Sequence, residues 1–98
     1  MDIIPEPLEF EWDEGNVDKN REKHLVSFKE TEQIFINEPK SILDDRKHSK
    51  KEKRYMLWGI TDEGRKLTVI FTIRGKKVRV ISVRDMSRKE EKSYEKTA

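Results

Sequence analysis

Residues 54–85 read RYMLWGITDEGRKLTVIFTIRGKKVRVISVRD, and this stretch decides the fold. Three runs rich in β-branched and aromatic residues, at 54–61, 66–73 and 78–85, are separated by short connectors at 62–64 and 74–77 that contain glycine. Such runs joined by short glycine-containing loops are typical of β-hairpins. The stretch therefore predicts an antiparallel β-meander.

The second and third runs of this stretch predict which side chains share a face of the sheet. In the second run, apolar residues alternate with a semi-polar set, and the period of two in a strand places the two sets on opposite faces. The apolar set is Leu67, Val69, Phe71 and Ile73, and the semi-polar set is Lys66, Thr68, Ile70 and Thr72. The same period places Ser82 and Arg84 together, on the side of Val78 and Val80 but at the far end of the third strand. A strand whose polarity changes along its length is expected to carry a site.

Upstream of the meander, the pattern predicts a short strand and two helices. Residues 8–12 alternate apolar and acidic residues, as expected of an edge strand. A helix is predicted from Asp13 or Asn16 to about Leu25, with a thin apolar stripe. Ser27 and Glu30 form a capping box that opens a second, better packed helix, which 37–39 (Asn-Glu-Pro) ends.

A short strand near 41–43 is expected to follow the second helix. After the meander, Ser87 and Glu90 form another capping box, which begins a polar C-terminal helix with Tyr94 as its large anchor. We therefore expect one α+β domain over 1–98: a short N-terminal strand, two helices, an antiparallel meander of three to four strands and a C-terminal helix.

Composition excludes several classes of protein. The 98 residues are 33% hydrophobic and contain no cysteine and two histidines, so disulfides, thiolate metal sites and a histidine zinc site are not expected. No apolar run approaches the roughly 20 residues of a membrane span, and the N-terminus lacks a signal-peptide pattern. The sequence predicts a cytoplasmic protein without a cofactor, a metal or a membrane partner.

Charge is distributed unevenly, although 22 Lys and Arg nearly balance 20 Asp and Glu. Residues 1–14 carry six acids and no base, whereas 46–54 carry six bases and one acid, and 65–84 carry seven bases and no acid. Such clusters attract phosphates through their local field, which favours a nucleic-acid partner. A solvated, solubilising face is the alternative for each single cluster.

Short motifs occur in a fixed order along most of the chain. They are 10–13 (FEWD), Lys23-His24 before 26–28 (VSF), His48-Ser49 before Arg54-Tyr55, Gly59, Gly64-Arg65 and 79–84 (RVISVR). This series resembles the BrnT family of toxins from bacterial toxin–antitoxin systems. The chain departs from the family pattern at Leu25, where glycine is usual, at Tyr55, where phenylalanine is usual, and in the basic rather than acidic segment 46–54.

The resemblance implies a fold similar to that of RelE-like ribonuclease toxins, with helices packed on an antiparallel sheet. It also implies RNA cleavage that stops translation. The expected partner is a cognate antitoxin that resembles ribbon-helix-helix DNA-binding proteins. The two proteins would form a heteromeric complex that contacts operator DNA through the antitoxin.

RNA cleavage without a metal needs acid–base groups beside cationic donors. His24 is suited to act as base or acid, with a structural role at a helix end as the alternative. Arg84 and Ser82 would clamp a phosphate, with Arg65 and Arg54 adding charge from neighbouring strands. For Arg84 the alternative is a salt bridge near Asp85 or with the C-terminal helix.

A second set of residues is predicted to contact RNA away from the reaction. These residues are Trp12, Lys23, His48, Arg54, Arg74, Lys76, Lys77 and Arg79. Trp12 is suited either to stack on a base or to pack in the core, whereas Trp58 is expected in the core.

Three functions remain compatible with these residues. The first is a metal-independent endoribonuclease toxin. The second is a non-catalytic module that binds RNA or the ribosome, which would not need His24. The third is an antitoxin-binding partner without toxicity.

Overall fold

The computed structural model describes residues 3–12, 25–48 and 51–97. The elements, in chain order, are β1 (Phe10–Glu11), α1 (Phe28–Ile36), β2 (Ser41–Asp44), a 3-10 helix (Arg46–His48), β3 (Tyr55–Ile60), β4 (Lys66–Arg74), β5 (Lys77–Asp85) and α2 (Arg88–Thr97). The predicted helix over 13–25 lies, except for Leu25, outside the described residues. Among the described residues, no helix is long and apolar enough to span a membrane.

The strands of the described residues form one five-stranded sheet in the order β1-β5-β4-β3-β2. Strands β2 to β5 are the predicted antiparallel meander, with four strands. The expectation of a wholly antiparallel sheet is wrong, because β1 pairs with β5 in parallel. The last strand of a meander leaves one edge open, and the N-terminal segment runs along that edge: the Val78 N–H donates to the Glu9 carbonyl at 2.9 Å.

Helix α1 covers one face of the sheet and forms the main core with it. The predicted capping box is present: the Glu30 N–H donates to Ser27 Oγ, and the Ser27 N–H donates to Glu30 Oε1. Phe35 lies fully inside, edge-on to Phe71 with ring centroids 5.0 Å apart. The helix approaches β3 so closely that a Cβ on Gly59 would lie 2.9 Å from Ile34 Cβ.

A β-bulge in β5 changes which residues face this core. Ser82 pairs with Ile70 but Val80 pairs with Phe71, so Ile81 is an extra residue. The predicted uninterrupted alternation of β5 is therefore wrong, because a bulge reverses the sides of the residues beyond it. Val83 joins Val80 in the core, and Ser82 and Arg84 lie together on the opposite face.

Helix α2 packs on this opposite face and forms a second apolar cluster. Trp58, Met86 and Tyr94 are buried there, with Met56 packed against them. The Tyr94 hydroxyl donates to the Pro39 carbonyl at 2.6 Å, so Tyr94 is the predicted anchor of the helix. Trp58 is buried as expected, but beneath α2 rather than beneath α1.

Candidate functional site

Three hydrogen-bond donors cross the sheet side by side on the face that α2 covers. Trp58 of β3 pairs with Thr68 of β4, and Thr68 pairs with Arg84 of β5. We call Trp58, Thr68 and Arg84 the donor row. Ser82 lies one position further along the same face, opposite Ile70, so the predicted neighbours Ser82 and Arg84 do lie together.

The Glu90 carboxylate of α2 occupies the donor row. Arg84 donates from Nη1 to Oε1 at 2.6 Å and from Nη2 to Oε2 at 3.0 Å, and Thr68 Oγ1 donates to Oε1 at 3.2 Å. Glu90 is also the capping-box residue of α2, since it accepts from the Ser87 N–H at 2.9 Å. The alternative that the sequence left open for Arg84, a salt bridge with the C-terminal helix, is therefore present.

These contacts set the charge state of the pair. Burial alone would raise the pKa of Glu90, but hydrogen bonds from Arg84 and from the Ser87 N–H outweigh it and lower this pKa to about 2. The same hydrogen bond raises the pKa of Arg84. Both side chains are ionised at neutral pH, and the guanidinium presents its two-pronged edge to an anion.

The third member of the donor row has no acceptor in the described part of the chain. Trp58 is 8% exposed, and its indole Nε1 is buried without a hydrogen-bond partner among the described residues. A buried donor left unsatisfied costs the fold about 1–3 kcal/mol, so its presence under a helix calls for an explanation.

Arg65, predicted to add charge beside the phosphate clamp, links three segments of the chain. It donates to the Leu25 carbonyl at 2.8 Å, to Glu30 of α1 at 3.2 Å, and to both carboxylate oxygens of Asp85 at 2.7 and 3.0 Å. The hydrogen bonds to Asp85 raise the pKa of Arg65. Leu25, which it holds, has a φ of 53°, a left-handed conformation that glycine adopts without strain.

The predicted RNA-contacting cations that the structure describes gather at the other end of the sheet. Arg74, Lys76 and Lys77 surround the tip of the β4–β5 hairpin and are exposed. Arg74 Nε and Arg54 Nη2 lie 3.6 and 4.0 Å from Glu52 oxygens. Along β4, Arg74 lies six residue steps from Thr68 of the donor row, which is about 20 Å of strand.

Two further predictions concern residues near α1 or outside the described chain. The Trp12 indole is half-buried; its Nε1 donates to Glu32 at 3.0 Å, and its ring stacks on Phe10 at 5.8 Å. His24 and Lys23 lie outside the described residues, as does the side chain of His48.

The sequence pattern predicted two basic clusters, at 46–54 with one acid and at 65–84 with none, but folding places carboxylates beside their arginines. Each described arginine of the predicted sites lies within 4.0 Å of a carboxylate: Arg54 and Arg74 of Glu52, Arg65 of Glu30 and Asp85, Arg79 of Glu11, and Arg84 of Glu90. Counting charge along the sequence misses acids that folding brings in. Sequence reasoning also missed Thr68 as a site residue and Glu90 as its acceptor, although the Ser87–Glu90 capping pattern was visible.

Comparisons with known proteins extend these observations. A family model described as "Ribonuclease toxin, BrnT, of type II toxin-antitoxin system" matches residues 12–90. The fold is similar to the crystal structure of the Brucella abortus ribonuclease toxin BrnT, with a TM-score of 0.64 and 24% sequence identity. That similarity covers 83% of this chain and 99% of the Brucella chain. No curated protein matches the sequence.

Proposed function

Since the chain belongs to the BrnT family of ribonuclease toxins of type II toxin–antitoxin systems, we propose that it is a metal-independent endoribonuclease that inhibits translation. The observation that carries this proposal is the family match over residues 12–90. The geometry adds the donor row on one face of the sheet. A cognate antitoxin would neutralise the activity.

The proposed chemistry divides between an acid–base group and an anion site. His24 would remove the proton of the attacking 2′-hydroxyl or protonate the leaving 5′-oxygen, because its ordinary pKa lies near neutrality. Arg84 and Thr68 of the donor row, with Ser82 beside them, would hold the phosphate and stabilise its added charge. Support comes from the register, which aligns Thr68 with Arg84.

We assign Arg65 an indirect part in this chemistry. Its donors contact Leu25, Glu30 and Asp85, so it would fix the segment that follows His24 rather than touch the phosphate.

The exposed cations at the hairpin tip would guide RNA to the protein. Arg74, Lys76 and Lys77 suit backbone phosphates, since such contacts are electrostatic and independent of sequence. Trp12, Lys23, His48, Arg54 and Arg79 remain proposed RNA contacts. In this proposal the protein resembles RelE-like toxins, acts in the cytoplasm on RNA or at the ribosome, and binds a ribbon-helix-helix antitoxin that contacts operator DNA.

The test is cleavage of a defined RNA by the purified, antitoxin-free protein in EDTA. We expect wild-type protein to cut, His24→Ala to lose cleavage, and Arg84→Ala to lose most of it. Arg88→Ala is the matched control, because this substitution removes the same charge from an exposed residue of α2 that lies outside the donor row. Absence of cleavage both on free RNA and in a translating extract would overturn the enzymatic proposal.

One observation favours a second function, a non-catalytic module that binds RNA or the ribosome. The exposed lysines Lys76 and Lys77 lie at the end of the sheet remote from the donor row, so they would support binding without chemistry. Growth inhibition that survives His24→Ala undiminished would favour this function over the ribonuclease.

A further inference from the structure

The Glu90 carboxylate binds Arg84 in the geometry that arginine uses for a phosphate. Two parallel N–H···O bonds, at 2.6 and 3.0 Å, join one guanidinium edge to both carboxylate oxygens. Phosphate oxygens accept the same fork of donors. The Thr68 hydroxyl, aimed at the same carboxylate, would be a further donor to a phosphate.

The helix that carries Glu90 is held to the sheet by few buried contacts. Tyr94 is its buried large side chain within 88–96, and most of its other residues are exposed or half-buried and polar. Lys66 contacts Glu95 at 2.7 Å and Glu91 at 3.9 Å, but ion pairs this exposed contribute little. Local openings of such an element require less energy than global unfolding.

The sheet beneath α2 keeps an unused donor. Trp58 Nε1 is buried in the apolar cluster with Met86 and Tyr94, and no acceptor among the described residues reaches it. The closed position of α2 therefore leaves a polar group of the donor row unsatisfied. Movement of the helix would open all three donors to a ligand rich in acceptors.

We propose that Glu90 occupies the site of a substrate phosphate, and that RNA binds the donor row by displacing the Glu90 carboxylate as α2 lifts from the sheet. This inference rests on the proposed function, since it concerns the same anion site. Glu90 is then a gate: it satisfies Arg84 in the free protein and competes with every phosphate that approaches. Because Glu90 belongs to the same chain, its carboxylate is always close to Arg84. RNA binds only if its contacts with the donor row are more favourable than those of Glu90.

Glu90→Gln is a selective test, because it removes the charge while glutamine can still serve as the capping-box residue of α2. Glu95→Gln is the matched control: it makes the same charge change on the same helix, at a side chain that contacts Lys66 instead of the donor row. Thermal unfolding without RNA checks that both variants are folded.

The measurement is the affinity for a short single-stranded RNA with 2′-O-methyl riboses, which prevent cleavage, by fluorescence anisotropy at fixed salt. We expect Glu90→Gln to bind on the order of tenfold more tightly than wild type, since loss of charge-assisted hydrogen bonds to a competitor has about that effect. Glu95→Gln should change the affinity less than about twofold. Adding Arg84→Ala to Glu90→Gln should abolish the gain.

The inference is overturned if the two glutamine variants bind alike, or if the gain survives in the double variant. A second measurement uses wild-type protein: amide hydrogen exchange over 88–97 should rise when this RNA binds, and unchanged or slower exchange would also overturn it. If wild type cleaves RNA but Glu90→Gln and Glu95→Gln bind RNA with the same affinity, the gate is rejected and the ribonuclease proposal stands. If Glu90→Gln binds RNA more tightly in a way that depends on Arg84, but wild type cleaves no RNA, the ribonuclease proposal is rejected and the gate stands.

Discussion

We expect the loss of Arg65 to destabilise the protein more than the loss of the exposed arginine of the predicted RNA-binding set, Arg74. Arg65→Met keeps most of the apolar stem and removes the guanidinium, which joins the residue before α1, α1 itself and the end of β5. The three acceptors belong to segments that are distant in sequence. Their separation makes the guanidinium a tether between the helical layer and the sheet.

The magnitude follows from the three contacts of Arg65. The hydrogen bond to the Leu25 carbonyl is charge-assisted and contributes about 1–1.5 kcal/mol. The pair with Glu30, whose side chain is 30% exposed, contributes about 1 kcal/mol, and the pair with Asp85, which is 62% exposed, about 0.5 kcal/mol. The sum is about 2.5–3 kcal/mol, which lowers the Tm by about 10–24 °C in a domain of this size.

Urea and thermal unfolding followed by circular dichroism measure this effect. Arg74→Met is the control, because Arg74 is 49% exposed and lies 3.6 Å from Glu52, so its loss should cost less than about 0.5 kcal/mol. The reasoning is refuted if Arg65→Met is as stable as Arg74→Met. A stable Arg65→Met that has lost RNA cleavage would instead restore Arg65 to direct contact with the phosphate.

Three further predictions use unfolding measurements. Leu25→Gly should stabilise the protein by about 0.5–1 kcal/mol, because Leu25 has a φ of 53° and a side chain that is 76% exposed; a lower Tm would contradict this. Gly59→Ala should cost about 1–3 kcal/mol, since its Cβ would meet Ile34 at 2.9 Å, and unchanged stability would disprove the close approach. Burial raises the pKa of Glu90, but the hydrogen bonds from Arg84 and from the Ser87 N–H outweigh burial and hold this pKa at about 2, below the ordinary 4.5. The ionised Glu90 therefore contributes to the free energy of unfolding above about pH 4.5, and this contribution is lost as the pH falls toward 2. Because Arg84 is 44% exposed and solvent screens the pair, wild type should lose about 1–2 kcal/mol more than Glu90→Gln between pH 5 and 2 in urea titrations, and parallel curves would argue against the pair.

The parts of the fold that depend on neighbouring residues were predictable from the sequence. The hairpin loops, the alternation in β4 and the Ser27–Glu30 capping box each depend on residues a few positions apart. The bulge at Ile81 was not predictable, because 77–85 (KVRVISVRD) contains no glycine or other signal that marks an extra residue. The parallel pairing of β1 depends on which edge remains open once the meander has formed.

The candidate site shows the same division. The proximity of Ser82 and Arg84 was predictable, since residues two apart on a strand share a face whether or not a bulge precedes them. Thr68 was missed because its place beside Arg84 depends on strand register. The indole of Trp58 was assigned to the core correctly, but its membership of a row of donors needed the pairing of three strands.

Charge is the property for which sequence and structure differ most, and the difference bears on mechanism. The 65–84 stretch contains no acid, which suggests cations held ready for phosphate, yet Glu90 and Glu30 reach Arg84 and Arg65 from helices on opposite faces of the sheet. An arginine paired in this way binds an anion only in exchange for its carboxylate, so its affinity for RNA depends on how firmly the acid is held. Glu30 lies in α1, which packs on the main core, whereas Glu90 lies in α2, where Tyr94 is the buried large side chain within 88–96. Exchange is therefore easier at Arg84 than at Arg65, and this asymmetry makes Arg84 the phosphate ligand and Arg65 the tether in our proposal.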